Sequence, residues 1–404
     1  MTTVLTGGTV WDGTGASLMP DAVVIIEGDR IFHVGSRSTI SAPADAERID
    51  LRGSYILPGL IDSHNHLGLA ADTDILNQIH ESDSRITMRA VRRAWTHLSS
   101  GITTIRLCGE RGLMDVEWRD AFEQHLLPGP RLVISGWALT APHGHMAHEF
   151  SRIVEGPEDM RQAVRTNLRH GADFIKLLIT GSRATRWTQP RISYFAKEEI
   201  EIAIDEAHRA GKTVTAHCHG GDGLIWALDA GIDCIEHAAN VNDDEISRIA
   251  AASIPVVATL GVYFDAHDPP VDALDRINPR YLPSFEAVAK TYRAGVPIAV
   301  GADTRHGPCN LVFELLCLER CGLSNEDLLL AATRRGAEVC GLQDEVGTLE
   351  VGKLADIVVI DGNPLEDIQA LRKIRLVLKG GQPVTLPELS PEISNRLATT
   401  GPVY

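Results

Sequence analysis

No stretch of this chain approaches the run of about 18 apolar residues that a helical membrane span requires, so none is expected to cross a bilayer. Its first residues, Met1-Thr-Thr-Val-Leu-Thr-Gly-Gly8, lack the basic start and apolar core of a secretory leader. The expected compartment is the cytoplasm. The seven cysteines (Cys108, Cys218, Cys234, Cys309, Cys317, Cys321 and Cys340) are odd in number and include no C-x-x-C pair. That argues against a disulfide framework and for a reducing environment. Cys317 and Cys321, four apart on an expected helix, read as buried thiols. Basic residues are the scarcer charge, 38 against 54 acidic, for a net charge of −16. Nucleic acid and anionic membranes are therefore poor partners. An anionic small molecule is still allowed, because a local metal site reverses the sign of the field.

What is present is an ordinary globular composition, 44% hydrophobic and 23% charged over 404 residues. That length suits a large barrel with an accessory module. Residues 1–57 read as short strands with tight turns: Val4-Leu5 before Gly7-Gly8, Ala22 to Ile26 before Glu27-Gly28-Asp29, then Arg30 to Gly35. A sheet this small needs a partner. Matching β-type runs stand at the other end, Ala355 to Ile360 and Ile374 to Gly380. We expect one β-sandwich assembled from both termini (1–57 and 341–386), a tail over 387–404 that is either poorly ordered or an oligomer contact, and everything between them inserted.

The inserted stretch, 58–340, alternates. Strands are expected at Gly59 to His64, Thr103 to Leu107, Arg131 to Ser135, Phe174 to Ile179, Thr213 to His217, Cys234 to His237, Pro255 to Leu260 and Pro297 to Asp303, with helices between. Two more helices, Asn310 to Cys321 and Asn325 to Val339, follow the last strand. Gly101, Gly171, Gly211, Gly231 and Gly295 each close a helix before the next strand. Eight such units give an α/β fold, a parallel (β/α)8 TIM barrel. Three loops, Thr140 to Gly156, Gly181 to Phe195 and Gly261 to Leu282, are too long for plain connectors and are expected to build the site.

The organising stretch is Gly59-Leu-Ile-Asp-Ser-His-Asn-His66. On a strand, residues two apart share a side, so His64 and His66 can offer two nitrogens to one metal ion. Alone, such a pair is more often a surface feature. Here further groups stand at strand ends: Lys176, His217 and His219, His237, and Asp303. In a parallel barrel all those ends face one way and can share a cavity. Lys176 sits in Phe174-Ile-Lys-Leu-Leu-Ile-Thr-Gly181. An ammonium beside divalent cations is repelled, and burial favours a neutral amine. Such an amine captures carbon dioxide to become an anionic carbamate whose two oxygens can bridge metals. The alternative is a lysine that reaches solvent.

These residues resemble the metal-dependent amidohydrolase superfamily, and within it the prolidase-like group of Xaa-Pro dipeptidases, arginine carboxypeptidase-like enzymes and ochratoxin-type amidases. The matching pieces are Leu57-Pro-Gly-Leu-Ile-Asp-Ser-His-Asn-His66, Gly129-Pro-Arg131, Phe174-Ile-Lys176, Ala216-His-Cys-His-Gly220, Ile235-Glu-His237, Gly301-Ala-Asp303 and Gly347-Thr-Leu-Glu-Val-Gly-Lys-Leu-Ala-Asp356. The resemblance implies two divalent metal ions, most simply zinc. His64, His66 and Asp303 would hold one, His217 and His237 the other, with carboxylated Lys176 bridging. It also implies a substrate-contacting histidine after the third strand, for which His145 is the candidate, with His143 and His148 close by. Two departures stand out: Thr103-Thr-Ile-Arg-Leu107 lacks the usual Asp after the Arg, and Thr180-Gly-Ser-Arg183 replaces Gly-Gly.

Two divalent ions less a carbamate, Asp303 and a bridging hydroxide leave a cavity charge of about +1, enough to acidify water and polarise a carbonyl. Asp303 would pass the water's proton to a leaving amine. His219, one step nearer the rim than His217, is a second contact, and Tyr194 and Arg183 are candidates for carboxylate recognition. The expected activity is hydrolysis of an amide or peptide bond in a small substrate by a homo-oligomer. A deaminase, a carbamate or urea hydrolase and a cyclic-amide hydrolase are rivals on the same site. A mononuclear centre would not need Lys176, and a silent scaffold would be expected to have lost ligands.

Overall fold

The structure, a computed structural model, describes residues 2–37, 45–70, 78, 80–148, 150–182, 187–264, 274–303 and 311–386. The expected tail over 387–404, Cys309 and Arg183 lie outside the described residues.

Both chain ends contribute to one eight-stranded sheet. Its order is Gln382–Pro383, Ile374–Lys379, Ile357–Asp361, Ser54–Pro58, Thr2–Val10, Met19–Glu27 and Arg30–Ser36, with Glu47–Asp50 also pairing with Thr2–Val10. The hairpin signal at Glu27-Gly28-Asp29 is realised: Glu27 pairs with Arg30, and Gly28 takes φ +63°, which costs glycine little. Ser54–Pro58 pairs antiparallel with Ile357–Asp361, so neither terminus completes the sheet alone. At the far edge Ile31 N donates to Lys353 O and Ala355 N to Asp29 O, both at 2.8 Å. The sheet thus curls back on itself, as expected of a sandwich, around an aliphatic core that includes Leu5, Val24, Ile26, Ile56, Ile357 and Val359.

Between these pieces lies the parallel barrel. Its strands are Leu60–Asn65, Ile102–Leu107, Arg131–Ile134, Phe174–Leu178, Thr213–Cys218, Cys234–His237, Val256–Ala258 and Ile298–Val300. Every residue of the first, second, fourth and sixth strands is buried, as expected where helices cover one face and the barrel interior the other. The ring closes where Asp303 N donates to His64 O at 2.7 Å and Ala302 N to Asp62 Oδ1 at 3.0 Å. Gly301 permits that approach, since a Cβ there would stand 2.4 Å from His64 Cβ. The glycines expected to end helices do so in left-handed conformation, Gly101 at +86° and Gly171 at +84° among them.

Two local expectations change. The helix expected over Asn325 to Val339 is two helices, Asn325–Ala331 and Arg334–Cys340. The break follows from tertiary bonding: Ala332 O accepts Ile61 N of the first barrel strand at 2.7 Å, and Thr333 Oγ1 donates to Leu329 O at 2.7 Å. The third strand stops at Ile134, and the chain resumes as Ala138–Thr140 to pair with the fourth strand and with a short strand, Ser151–Ile153, inside an expected loop. Cys317 and Cys321 are buried free thiols, the second one residue past the end of helix Leu311–Arg320.

Candidate active site

The C-terminal ends of the barrel strands surround a cavity of about 320 Å³. Eight of the residues singled out from the sequence line it: His64 and His66 from the first strand, His145 after the third, Lys176 on the fourth, His217 and His219 on and after the fifth, His237 ending the sixth, and Asp303 after the eighth. The three long loops contribute as well, through Met146 and Phe150, Ser182 and Pro190, and Val262, Arg280 and Tyr281.

The imidazoles form a connected cluster. Ring centroids lie 5.4 Å apart for His64 and His66, 4.8 Å for His64 and His237, and 4.5 Å for His217 and His237. Asp303 Oδ1 is 3.7 Å from both His64 Nε2 and His66 Nε2. One ligand atom from each of these three residues falls within 4.8 Å of the others, a donor set that fits a divalent ion. Lys176 is 1% exposed and does not reach solvent.

Hydrogen bonds fix which nitrogen each ring presents. A carbonyl can only accept, so His66 donates through Nδ1 to Gly109 O (2.8 Å) and keeps the Nε2 lone pair. His217 does the reverse, donating through Nε2 to Gly181 O at 3.2 Å and keeping Nδ1. His64 donates through Nδ1 to Glu236 Oε2 at 2.7 Å. His237 Nδ1 lies 2.6 Å from Thr259 Oγ1. Burial first, and then the crowding of neighbouring imidazoles and Lys176, pushes His217 and His237 well below the usual imidazole range. Burial likewise lowers His66 to about 4 and His145 to about 3. Neutral rings of this kind are what metal ligation and hydrogen-bond donation to substrate require.

Glu236 and Arg106 are the partners that sequence reasoning did not assign. Arg106 Nη1 donates to Glu236 Oε1 at 2.7 Å, Thr215 Oγ1 donates to the same oxygen, and the guanidinium sits 4.0 Å over the Phe174 ring. Burial opposes the Glu236 charge, yet Arg106, with Lys176 and His64, outweighs it and holds the carboxylate ionised. The signal was visible as single charges inside otherwise core-like strands, Ile102–Leu107 and Cys234–His237. Asp62 is a second such group, accepting from His64 N at 3.3 Å, Asn65 Nδ2 at 2.6 Å and Ala302 N at 3.0 Å. It ties the histidine-bearing strand end to the loop that carries Asp303.

Backbone strain gathers at the same place. His237 (φ +74°), Ala238 (φ +48°) and Asp303 (φ +42°) are non-glycine residues in left-handed conformation. Each costs roughly 1–3 kcal/mol, a cost usually met at functional sites. Farther out, Glu245 accepts Asn242 N and Gly221 N and takes Arg191 in a two-pronged pair at 2.8 and 2.9 Å, fixing the loop that supplies Pro190.

His145 stacks 4.4 Å from His217, whereas His143 is exposed and His148 packs on Phe150, so only His145 of the three lines the cavity. His219 stacks 5.2 Å from His237, and its backbone N donates to Thr180 Oγ1 at 3.0 Å. Tyr194, a candidate for carboxylate recognition, instead accepts Gln189 N through its hydroxyl at 3.2 Å and is not among the lining residues.

Fold and pocket together define a barrel enzyme whose chemistry sits at the strand ends. The amidohydrolase family pattern matches residues 55–384, and the chain belongs to that family; it is a hydrolase acting on carbon–nitrogen bonds. It is 28% identical to the ochratoxinase of Aspergillus niger, over 96% of this chain and 88% of that protein. A solved prolidase complexed with N-methylphosphonate-L-proline superposes with a TM-score of 0.86 at 28% identity, covering 96% of this chain and all of the other. A Xaa-Pro dipeptidase with methionine bound in its active site gives a TM-score of 0.85 at 26% identity, over 95% of this chain and 100% of that one.

Proposed function

We propose that this chain is a metal-dependent hydrolase that cleaves an amide or peptide bond in a dipeptide or N-acyl amino acid. The observation that carries the reading is the convergence of four histidines, a buried lysine and a strained aspartate from five separate strands on one cavity. His64, His66 and Asp303 would hold one ion, His217 and His237 a second, with Lys176 as a carbamate between them; the ions are proposed to be zinc. When bound, such ions supply Lewis acidity to a carbonyl and lower the pKa of water.

The rest falls to the chain's own side chains. Asp303, at the cavity edge beside His64 and His66, takes a proton from the attacking water and returns it to the leaving amine. His145 and His219, on the wall, donate hydrogen bonds to the substrate and hold its carbonyl in line. Prolidase and ochratoxinase relatives support an amide or peptide substrate. With the reading go a chain divided at 57/58 and 340/341, a cytoplasmic location, consistent with buried free thiols, and a homo-oligomer, consistent with exposed apolar side chains such as Trp187 and Ile192. The test is a substrate panel on zinc-loaded protein: dipeptides and N-acyl amino acids against amidines, carbamates, ureas and cyclic amides. Turnover confined to the last four classes would overturn it.

A further inference from the structure

The metal-side residues do not account for the whole cavity, whose wall also holds a cation without an assigned role. Arg280 lines it together with Tyr281 and Tyr263. The Arg280 guanidinium lies over the Tyr281 ring, 4.4 Å from its centroid, and donates to the Tyr281 hydroxyl. Tyr281 in turn stacks on Tyr263, with centroids 4.6 Å apart and planes inclined by 15°. Both tyrosines sit on fixed backbone. Asn278 Oδ1 accepts Arg280 N at 3.1 Å, and Pro279 opens a turn that runs straight into helix Leu282–Arg293. On the other side, Glu314 accepts Leu260 N at 2.6 Å and Gly261 N, holding the turn that carries Tyr263.

A guanidinium laid on an aromatic face and tied to its hydroxyl has lost much of its rotamer freedom before any ligand arrives. Its planar fork matches a carboxylate. Charge points the same way. Among the described lining residues Asp303 is the only carboxylate, although the chain as a whole carries −16. At physiological salt a charge acts over only about 8 Å, so an anion in the cavity is governed by the cation that lines it rather than by the distant acidic surface. The rest of the wall includes apolar side chains, Leu69, Met146, Phe150 and Val262 among them.

We propose that Arg280, held flat by Tyr281, binds a free carboxylate of the substrate, so that the preferred substrates are carboxylate-terminated amides with an apolar side chain. The proposal rests on the hydrolase reading above and narrows it. It is tested with the N-acyl amino acids and dipeptides that the zinc-loaded wild type cleaves, each beside its methyl ester, following cleavage of the same amide bond. Wild type should prefer the acid. In Arg280→Met the acid-to-ester ratio of kcat/KM should fall about 10–100-fold, the range for a charged hydrogen-bonded contact, with the loss mainly in KM. Arg280→Lys should recover part of it, keeping charge without the fork. Tyr281→Phe, which removes only the hydroxyl, should move the ratio the same way by less. Equal losses for acid and ester, or no wild-type preference, would overturn the anchor. Should wild type cleave no amide, the hydrolase reading falls by itself, and calorimetric binding of N-acetyl-leucine to zinc-loaded protein decides the anchor. Binding at least about tenfold weaker in Arg280→Met upholds it; unchanged binding, or none to wild type, overturns it.

Discussion

Ile56 in the terminal sheet and Lys176 in the fourth barrel strand are both buried, at 0% and 1% exposed, but in opposite company. Ile56 packs in a cluster with Leu5, Val24, Ile357 and Val359. Lys176 lines the cavity with His64 and His217, and His64 in turn bonds the buried Glu236 of the Arg106–Glu236 pair. Burying the first set is favourable by about 25 cal/mol per Å² of apolar surface. Burying the second is costly, since the desolvation of an ion pair often exceeds its Coulomb gain. The contrast teaches that the sheet from the two termini contributes stability, while the barrel mouth spends stability to hold polar groups in place.

The comparison breaks first at Lys176. Lys176→Ala should abolish turnover while leaving the fold, and added acetate should restore part of the activity by supplying the lost oxygens. Full activity in the variant would remove Lys176 from the site.

Asp303 comes next. Asp303→Asn keeps a lone pair for a metal but cannot relay a proton, so kcat at saturating zinc should drop at least about 100-fold. If only zinc affinity changes, Asp303 is a ligand and nothing more.

The Arg106–Glu236 pair sharpens the contrast directly. Replacing both, Arg106→Met with Glu236→Leu, should lower the melting temperature only modestly: apolar isosteres of a buried pair are commonly neutral or stabilising, which offsets about 1–3 kcal/mol for each of the His64 and Thr215 donors that lose their acceptor. Metal affinity, read by chelator competition, should fall about 10–100-fold through loss of the acceptor that orients His64. A large drop in melting temperature with unchanged affinity would reverse the assignment.

The smallest effect on catalysis belongs to the sheet. Ile56→Ala should cost about 2–5 kcal/mol of stability, visible in thermal or denaturant unfolding, with kcat and metal content of the folded protein unaltered.

The same contrast explains what could be read from the chain. Parallel strands buried on both faces are written in apolar residues, so a histidine, lysine or aspartate on or just past one stands out, and seven such residues line the cavity, joined by His145, which the family resemblance rather than a strand pattern suggested. Features that depend on distant partners did not stand out. The break at Ala332-Thr333 comes from a bond to Ile61 N, far away in sequence. Arg106 and Glu236 are visible as charges in core strands, but nothing local says that they meet across 130 residues. Arg280 lies in a long loop without periodicity, and the tyrosine picked instead, Tyr194, spends its hydroxyl on Gln189 N.

The proposed role of the polar mouth is to hold a pair of metal ions. Elemental analysis of protein purified without chelator, scaled to active chains, tests it most directly. About two transition-metal ions per chain, chiefly zinc, are expected, with activity lost on chelation and regained as both sites refill. Full activity with one ion per chain, or with none, would contradict it.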